Sequence, residues 1–235
     1  MKTVVTALVA VAGLAAAANA QQVRSGLEVR VSTDNGDTWA DKVNVLPGST
    51  VLVAIFGRFE NAYGLGGATF RMQSDNRADG DAMAFGAGTA TGRAGVFNFG
   101  AATNAIFTEA GGFRLDAASD AANAGRNAGA TFLQRSPSAA GVGFDQSNPA
   151  MAMLFVYTVS GADNALRTID FWIDELKGAN ATAPGVVSVY TSSTSTSSFQ
   201  NTNVWLEGAQ INVVPTPGAL ALMGMGGLLA GRRRR

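Results

Sequence analysis

Thr50-Val51-Leu52-Val53-Ala54-Ile55-Phe56-Gly57 is a β-branched, apolar run set off by Pro47-Gly48-Ser49, and this density of strand formers predicts a central strand. Upstream, Leu27, Val29 and Val31 alternate with Glu28, Arg30 and Ser32, the period of two expected when one face of a strand is buried. Asp34-Asn35-Gly36-Asp37 supplies a turn and Lys42-Val43-Asn44-Val45-Leu46 resumes the alternation, so the two runs read as a hairpin. Downstream, Ala68 to Gln73 carries Phe70 and Met72 on one face. Met151 to Ser160 is a further apolar run, followed by a turn over Gly161-Ala162-Asp163-Asn164. In Leu166 to Ile173, Leu166, Thr168, Asp170 and Trp172 lie opposite Arg167, Ile169, Phe171 and Ile173. Val186 to Thr191 and Val204 to Val214 complete the set.

From Asp75 to about Ala130 the texture changes to Gly, Ala, Asn and Asp, with short apolar patches at Val96-Phe97-Asn98-Phe99, Ala105-Ile106-Phe107 and Gly112-Phe113-Arg114-Leu115. These read as long loops with short strands, and Ala117 to Ala124 has room for one or two helical turns. Thr191 to Ser198 is a Ser/Thr run that reads as a solvated loop offering hydroxyls for O-linked sugar, and Asn180-Ala181-Thr182 has the form of an N-glycosylation acceptor. About eight to ten short strands without βαβ alternation predict an all-β fold, an antiparallel β-sandwich of jelly-roll or immunoglobulin type over residues 21–214. The Pro-Gly-Ser-Thr-Val-Leu-Val stretch from Pro47 and the Phe-Val-Tyr-Thr-Val strand from Phe155 resemble, in texture, cohesin and related carbohydrate-associated sandwiches.

Both ends carry addresses. Met1-Lys2-Thr3 is a positive opening, Val4 to Ala16 an apolar stretch, and Ala18-Asn19-Ala20 an A-x-A site for signal peptidase, so residues 1–20 read as a signal peptide. At the other end Pro215-Thr216-Pro217 precedes an apolar run from Gly218 to Gly231 and then Arg232, Arg233, Arg234 and Arg235. As a helix this run reaches about 21 Å at ~1.5 Å per residue, short of a ~30 Å hydrocarbon core, while the arginines hold its end on the cytoplasmic side. A core helix is the alternative, but core helices do not end in four arginines. Residues 215–235, with a short hydrophobic helix, resemble the PEP-CTERM sorting signal, which a membrane protease, exosortase, recognises. One position departs from that pattern: Thr216 stands where the family usually has Glu. The resemblance implies transient inner-membrane insertion, release by exosortase, and residence at the cell surface or outside it, among exopolysaccharide.

The chain has 17 basic and 17 acidic residues; without Lys2 and the four terminal arginines 12 basic remain, a net charge of about −5. No basic excess is left for phosphate backbones, which argues against a nucleic-acid partner. With no histidine and no cysteine, Ser-His-Asp and Cys-His catalysis, the commonest zinc ligand and disulfides are all excluded. Carboxylate chemistry and oxygen-ligated calcium remain open.

Four constellations bear on that chemistry. Ser32-Thr33-Asp34-Asn35-Gly36-Asp37-Thr38-Trp39 resembles the Asp box of sialidases and other exported β proteins. There Asp34 accepts hydrogen bonds from the turn, Gly36 takes a positive φ and Trp39 packs on the hairpin, a structural device remote from catalysis. Asp75, Asp79 and Asp81, with Gly80 as a bend, form a candidate calcium loop, although Arg77 sits where a ligand is wanted; a solvated acidic turn is the alternative. Asp170, Asp174 and Glu175 are the best carboxylates for a glycoside hydrolase. Asp170 and Asp174, however, lie about 13 Å apart along a strand, against the ~5–9.5 Å that such pairs require. Trp39, Trp172, Trp205 and Tyr63 are the candidates for a sugar-stacking platform. These observations predict a surface or matrix protein that is not an enzyme and needs no cofactor, with a carbohydrate-binding module and an acidic-pair hydrolase as the alternatives.

Overall fold

The computed structural model describes residues 22–86, 92–99, 104–109, 111–117, 130–139, 143–162, 165–176 and 185–215. The signal-peptide residues Ala18 and Ala20, the sorting residues Thr216, Pro217 and Arg232 to Arg235, most of the 117–124 segment and the Asn180 acceptor lie outside these. Among the described residues no helix is long and apolar enough to cross a membrane.

The strands are β1 (Arg24–Ser32), β2 (Lys42–Val45), β3 (Thr50–Glu60), β4 (Gly64–Ser74), β5 (Ala82–Phe85), β6 (Asn104–Glu109) and β7 (Gly112–Ala117). They continue with β8 (Ala130–Leu133), β9 (Ala150–Thr158), β10 (Arg167–Leu176), β11 (Val187–Tyr190), β12 (Phe199–Asn201), β13 (Val204–Glu207) and β14 (Ala209–Val213). One sheet runs β13-β1-β3-β9-β5; the other runs β12-β11-β4-β10-β14-β2, with β7 and β8 also paired to β4 and β6 to β7. Two sheets face to face make the expected β-sandwich.

The alternation read from the sequence is the core. Leu27, Val29 and Val31 of β1 and Val51, Val53 and Ile55 of β3 are fully buried and face Leu65, Phe70, Ile169 and Ile211 of the second sheet. Each such side chain contributes about 1.5–3 kcal/mol relative to exposure. Tyr157 of β9 reaches across the layer, its ring perpendicular to Phe113 at 5.5 Å and to Phe171 at 5.4 Å.

Two expectations about connectivity are corrected. Leu27–Ser32 and Lys42–Leu46 do not form a hairpin: only Val31 and Ala40 pair, and β2 then enters the opposite sheet. Val204 to Val214 is not one strand either. It breaks at Gly208, where a Cβ would run into the Phe171 carbonyl, so that β13 lies in the first sheet and β14 in the second. The two crossings are linked, because β13 pairs parallel with β1 and β14 pairs parallel with β2. Period-two alternation identifies a strand and its buried face, but not its neighbour.

Candidate functional site

The loop between β1 and β2 is held by its own side chains. Ser32 Oγ donates to Asp34 Oδ1 at 2.6 Å and accepts from the Gly36 N–H at 2.9 Å. Thr38 donates twice to Asp34, from its N–H to Oδ1 at 3.0 Å and from its hydroxyl to Oδ2 at 2.5 Å. These donors, the Ser32 and Thr38 hydroxyls first, hold the Asp34 carboxyl far below the usual carboxylate range. Asn35 and Gly36 take φ of 61° and 91°, and the chain folds back over the outside of the first sheet. There Trp39 packs at 5.2 Å and 72° against Phe56.

That outer face carries a charged strip beside the aromatic pair. Glu28 and Arg30 point outward from β1, at i and i+2, and Arg58 points outward from the end of β3. Glu28 is 1% exposed. Arg30 Nη2 donates at 2.9 Å to Glu28 Oε2 and at 2.9 Å to Glu207 Oε2. Arg58 Nε stands 2.9 Å from Glu28 Oε1 as an ion pair, but its N–H is not aligned on that oxygen. Glu28, Arg30, Trp39, Phe56, Arg58 and Pro149 line a cleft of about 230 Å³. Further along the face the Trp205 ring covers Gly26 so closely that any Cβ there would collide with it, and Arg24 lies 5.5 Å from the same ring.

The structure gives the three calcium candidates separate surroundings. Asp79 is exposed. Asp75 Oδ1 accepts the Asp170 N–H at 2.9 Å. Asp81 turns inward, where it accepts from the Tyr157 hydroxyl at 2.7 Å, the Ser160 N–H at 2.7 Å and the Ala78 N–H at 3.0 Å, and pairs with Arg167. Burial first, and then the Asp81 carboxylate, push the Tyr157 hydroxyl pKa well above its ordinary value. Among the described residues no group of three or more acidic, His or Cys side chains converges on a metal position. The sequence offers Asp81 as a calcium ligand or as part of a solvated turn, yet Tyr157, Ser160 and Arg167, which hold it, lie far away in the chain.

Asp170 accepts from Gln210 Nε2 at 2.6 Å, and Asp174 lies 3.4 Å from Arg71 Nη1. The Glu175 side chain lies outside the described set. Trp172 is half-buried on the outer face of the second sheet, in a shallow cleft of about 360 Å³ with Asp41, Lys42, Asp170 and Gln210. Tyr63 stacks on Phe144 at 5.7 Å and 22°, so one ring face is occupied. Of the four platform candidates, Trp39 has both a ring contact with a second aromatic and paired charged side chains lining the same cleft. Sequence reading missed Glu28, Arg30 and Arg58; the signal was present as charges on the outward positions of two apolar strands.

No family model matches the chain, and no curated protein matches it in sequence. Among solved structures the likeness is to cohesins. The seventh ScaB type I cohesin from Pseudobacteroides cellulosolvens is 13% identical with a TM-score of 0.43, over 82% of this chain and 94% of that one. A chain of the Coh-OlpA-Doc918 type I cohesin–dockerin complex from Clostridium thermocellum is 8% identical with a TM-score of 0.41, over 80% and 99%. A type III cohesin module from the cell-surface anchoring scaffoldin ScaE of Ruminococcus flavefaciens is 10% identical with a TM-score of 0.42, over 82% and 88%.

Proposed function

We propose that this chain is an exported, non-catalytic protein of the cell surface or extracellular matrix, cut by signal peptidase after Ala20, sorted by exosortase through residues 215–235, and resident among exopolysaccharide. The observation that carries this reading is the junction between sandwich and tail. The Val214 N–H donates to the Val45 carbonyl at 2.8 Å and Pro215 is buried. Among the described residues the sandwich is thus hydrogen-bonded up to one residue before the Pro-x-Pro, which supports a sorting segment that begins directly after the domain.

A non-catalytic role is supported by the partners of the acidic groups: Asp170 is held by Gln210, Asp174 by Arg71, and Asp81 by Arg167. A carbohydrate-binding role within the same setting is favoured by Trp39 beside the Glu28–Arg58 strip. The test is fractionation of cells expressing the full chain with Arg232 to Arg235 replaced by neutral residues. Loss of tail processing and surface delivery is the expected result, because the positive cluster fixes the C-terminal end of the segment. Unchanged delivery overturns the sorting reading.

A further inference from the structure

We infer that the cleft between Trp39 and Arg58 on the outer face of the first sheet is a binding site for a neutral sugar unit of a polysaccharide. The inference deepens the proposed residence among exopolysaccharide by naming a site and a ligand class.

Three observations converge. First, the polar wall is held in place. Glu28, 1% exposed at the floor, holds Arg30 on one side and pairs with Arg58 on the other, and Arg30 bridges on to Glu207. A guanidinium anchored this way loses less rotamer freedom on meeting a ligand. Second, the same cleft has an aromatic lining. Trp39 packs against Phe56 and follows the Asp34-centred loop, which puts apolar rings next to hydrogen-bonding groups. A pyranose ring has the matching character, with C–H groups on its faces and hydroxyls around its edge.

Third, the charges select the ligand. Two arginines and two glutamates leave the strip neutral: Arg30 and Arg58 put donors in the cleft, and Glu207, outside its lining but joined to it through Arg30, adds an exposed acceptor, its side chain being 49% accessible. Hydroxyls donate and accept, so they can use both kinds of group, whereas a carboxylate or sulfate can use only the arginines and meets Glu207 as a like charge. A mature chain of net charge about −5 also repels polyanions at long range. The neutral ligand is therefore preferred over a uronic acid.

Affinity electrophoresis of the full chain through gels containing dextran, galactomannan or alginate tests this. Retardation is expected in at least one of the two neutral gels and not in alginate. Arg58→Gln and Glu207→Gln are each expected to weaken it by about tenfold, the scale of one lost hydrogen bond to a charged group. Trp39→Ala should weaken it further, and its melting temperature shows whether the fold survives. Glu207 is exposed, so its variant keeps the test independent of folding. Retardation by alginate alone, by no gel, or equally in the Arg58 and Glu207 variants overturns the inference. Surface delivery is measured separately, and its failure bears on the sorting reading rather than on this site.

Discussion

Arg167 Nη2 stands 2.8 Å from both carboxylate oxygens of Asp81, and the two residues belong to opposite layers of the sandwich. Asp81 immediately precedes β5 in the first sheet, whereas Arg167 opens β10 in the second. The contact is a polar clasp between the two sheets. Around it, Arg167 Nη1 donates to the Asn76 carbonyl at 2.6 Å and Asn76 Nδ2 to the Thr168 carbonyl at 2.8 Å, so the whole 75–81 loop is fastened to β10.

Asp81→Asn should destabilise the protein by about 3 kcal/mol, because it leaves a largely buried guanidinium without its counter-charge. Urea unfolding monitored by circular dichroism gives the value. A change within ±0.5 kcal/mol would show that the clasp contributes nothing net.

Because Asp81 already has these partners, millimolar calcium and chelator should give the same melting temperature. A rise with calcium that Asp79→Asn removes would restore the loop as a cation site.

The Asp34 turn should weaken in acid. Its carboxyl pKa is depressed in the folded state, so its contribution is complete above the unfolded value of about 4 and declines as the pH falls below that. Melting temperatures taken from neutral pH down to about pH 2 should therefore drop less steeply in Asp34→Asn than in the parent below about pH 4. Parallel profiles for the two proteins would remove Asp34 as a source of acid sensitivity.

Gly26→Ala should displace Trp205, since the added methyl occupies the space of the indole ring. A cost of about 1–3 kcal/mol is expected, as for other overpacked sites. With Trp39 and Trp172 changed to Phe, Trp205 is the remaining tryptophan, and its emission should shift to the red. An unmoved spectrum would mean that the ring does not sit on Gly26.

Secreted material should begin at Gln21, because Ala18 and Ala20 are the small residues a signal peptidase selects. Intact-mass analysis decides it, and any other start rejects the assigned cleavage site.

Much of the fold was legible because burial imposes a period. The run from Thr50 appears as β3, the Leu27–Val31 alternation as the inward face of β1, and Phe70 and Met72 as inward residues of β4. Pairing was not legible: nothing in Lys42–Val45 says that its neighbour is Gln210–Val213, about 170 residues away. Short strands in small-residue sequence, such as Ala82–Phe85 and Ala130–Leu133, were missed because four residues carry too little pattern. The hydrogen bonds of the Asp34 turn all lie within four residues, so its donors and acceptors stand together in the sequence. The surroundings of Asp81 and the Glu28 strip were not legible, because their partners are distant and outward charges normally signify only solvent.

The parallel placement of β13 beside β1 and of β14 beside β2 also sets how the molecule bears load. Tension applied between residue 22 and Pro215 pulls neighbouring strands in opposite directions along their length. The hydrogen bonds of Ser25–Glu28 with Val204–Glu207, and of Lys42–Val45 with Gln210–Val213, are then strained together in shear rather than opened one at a time. Under an optical trap the chain should hold until a single high-force rupture, a property suited to a protein tethered at one end and pulled by its surroundings at the other.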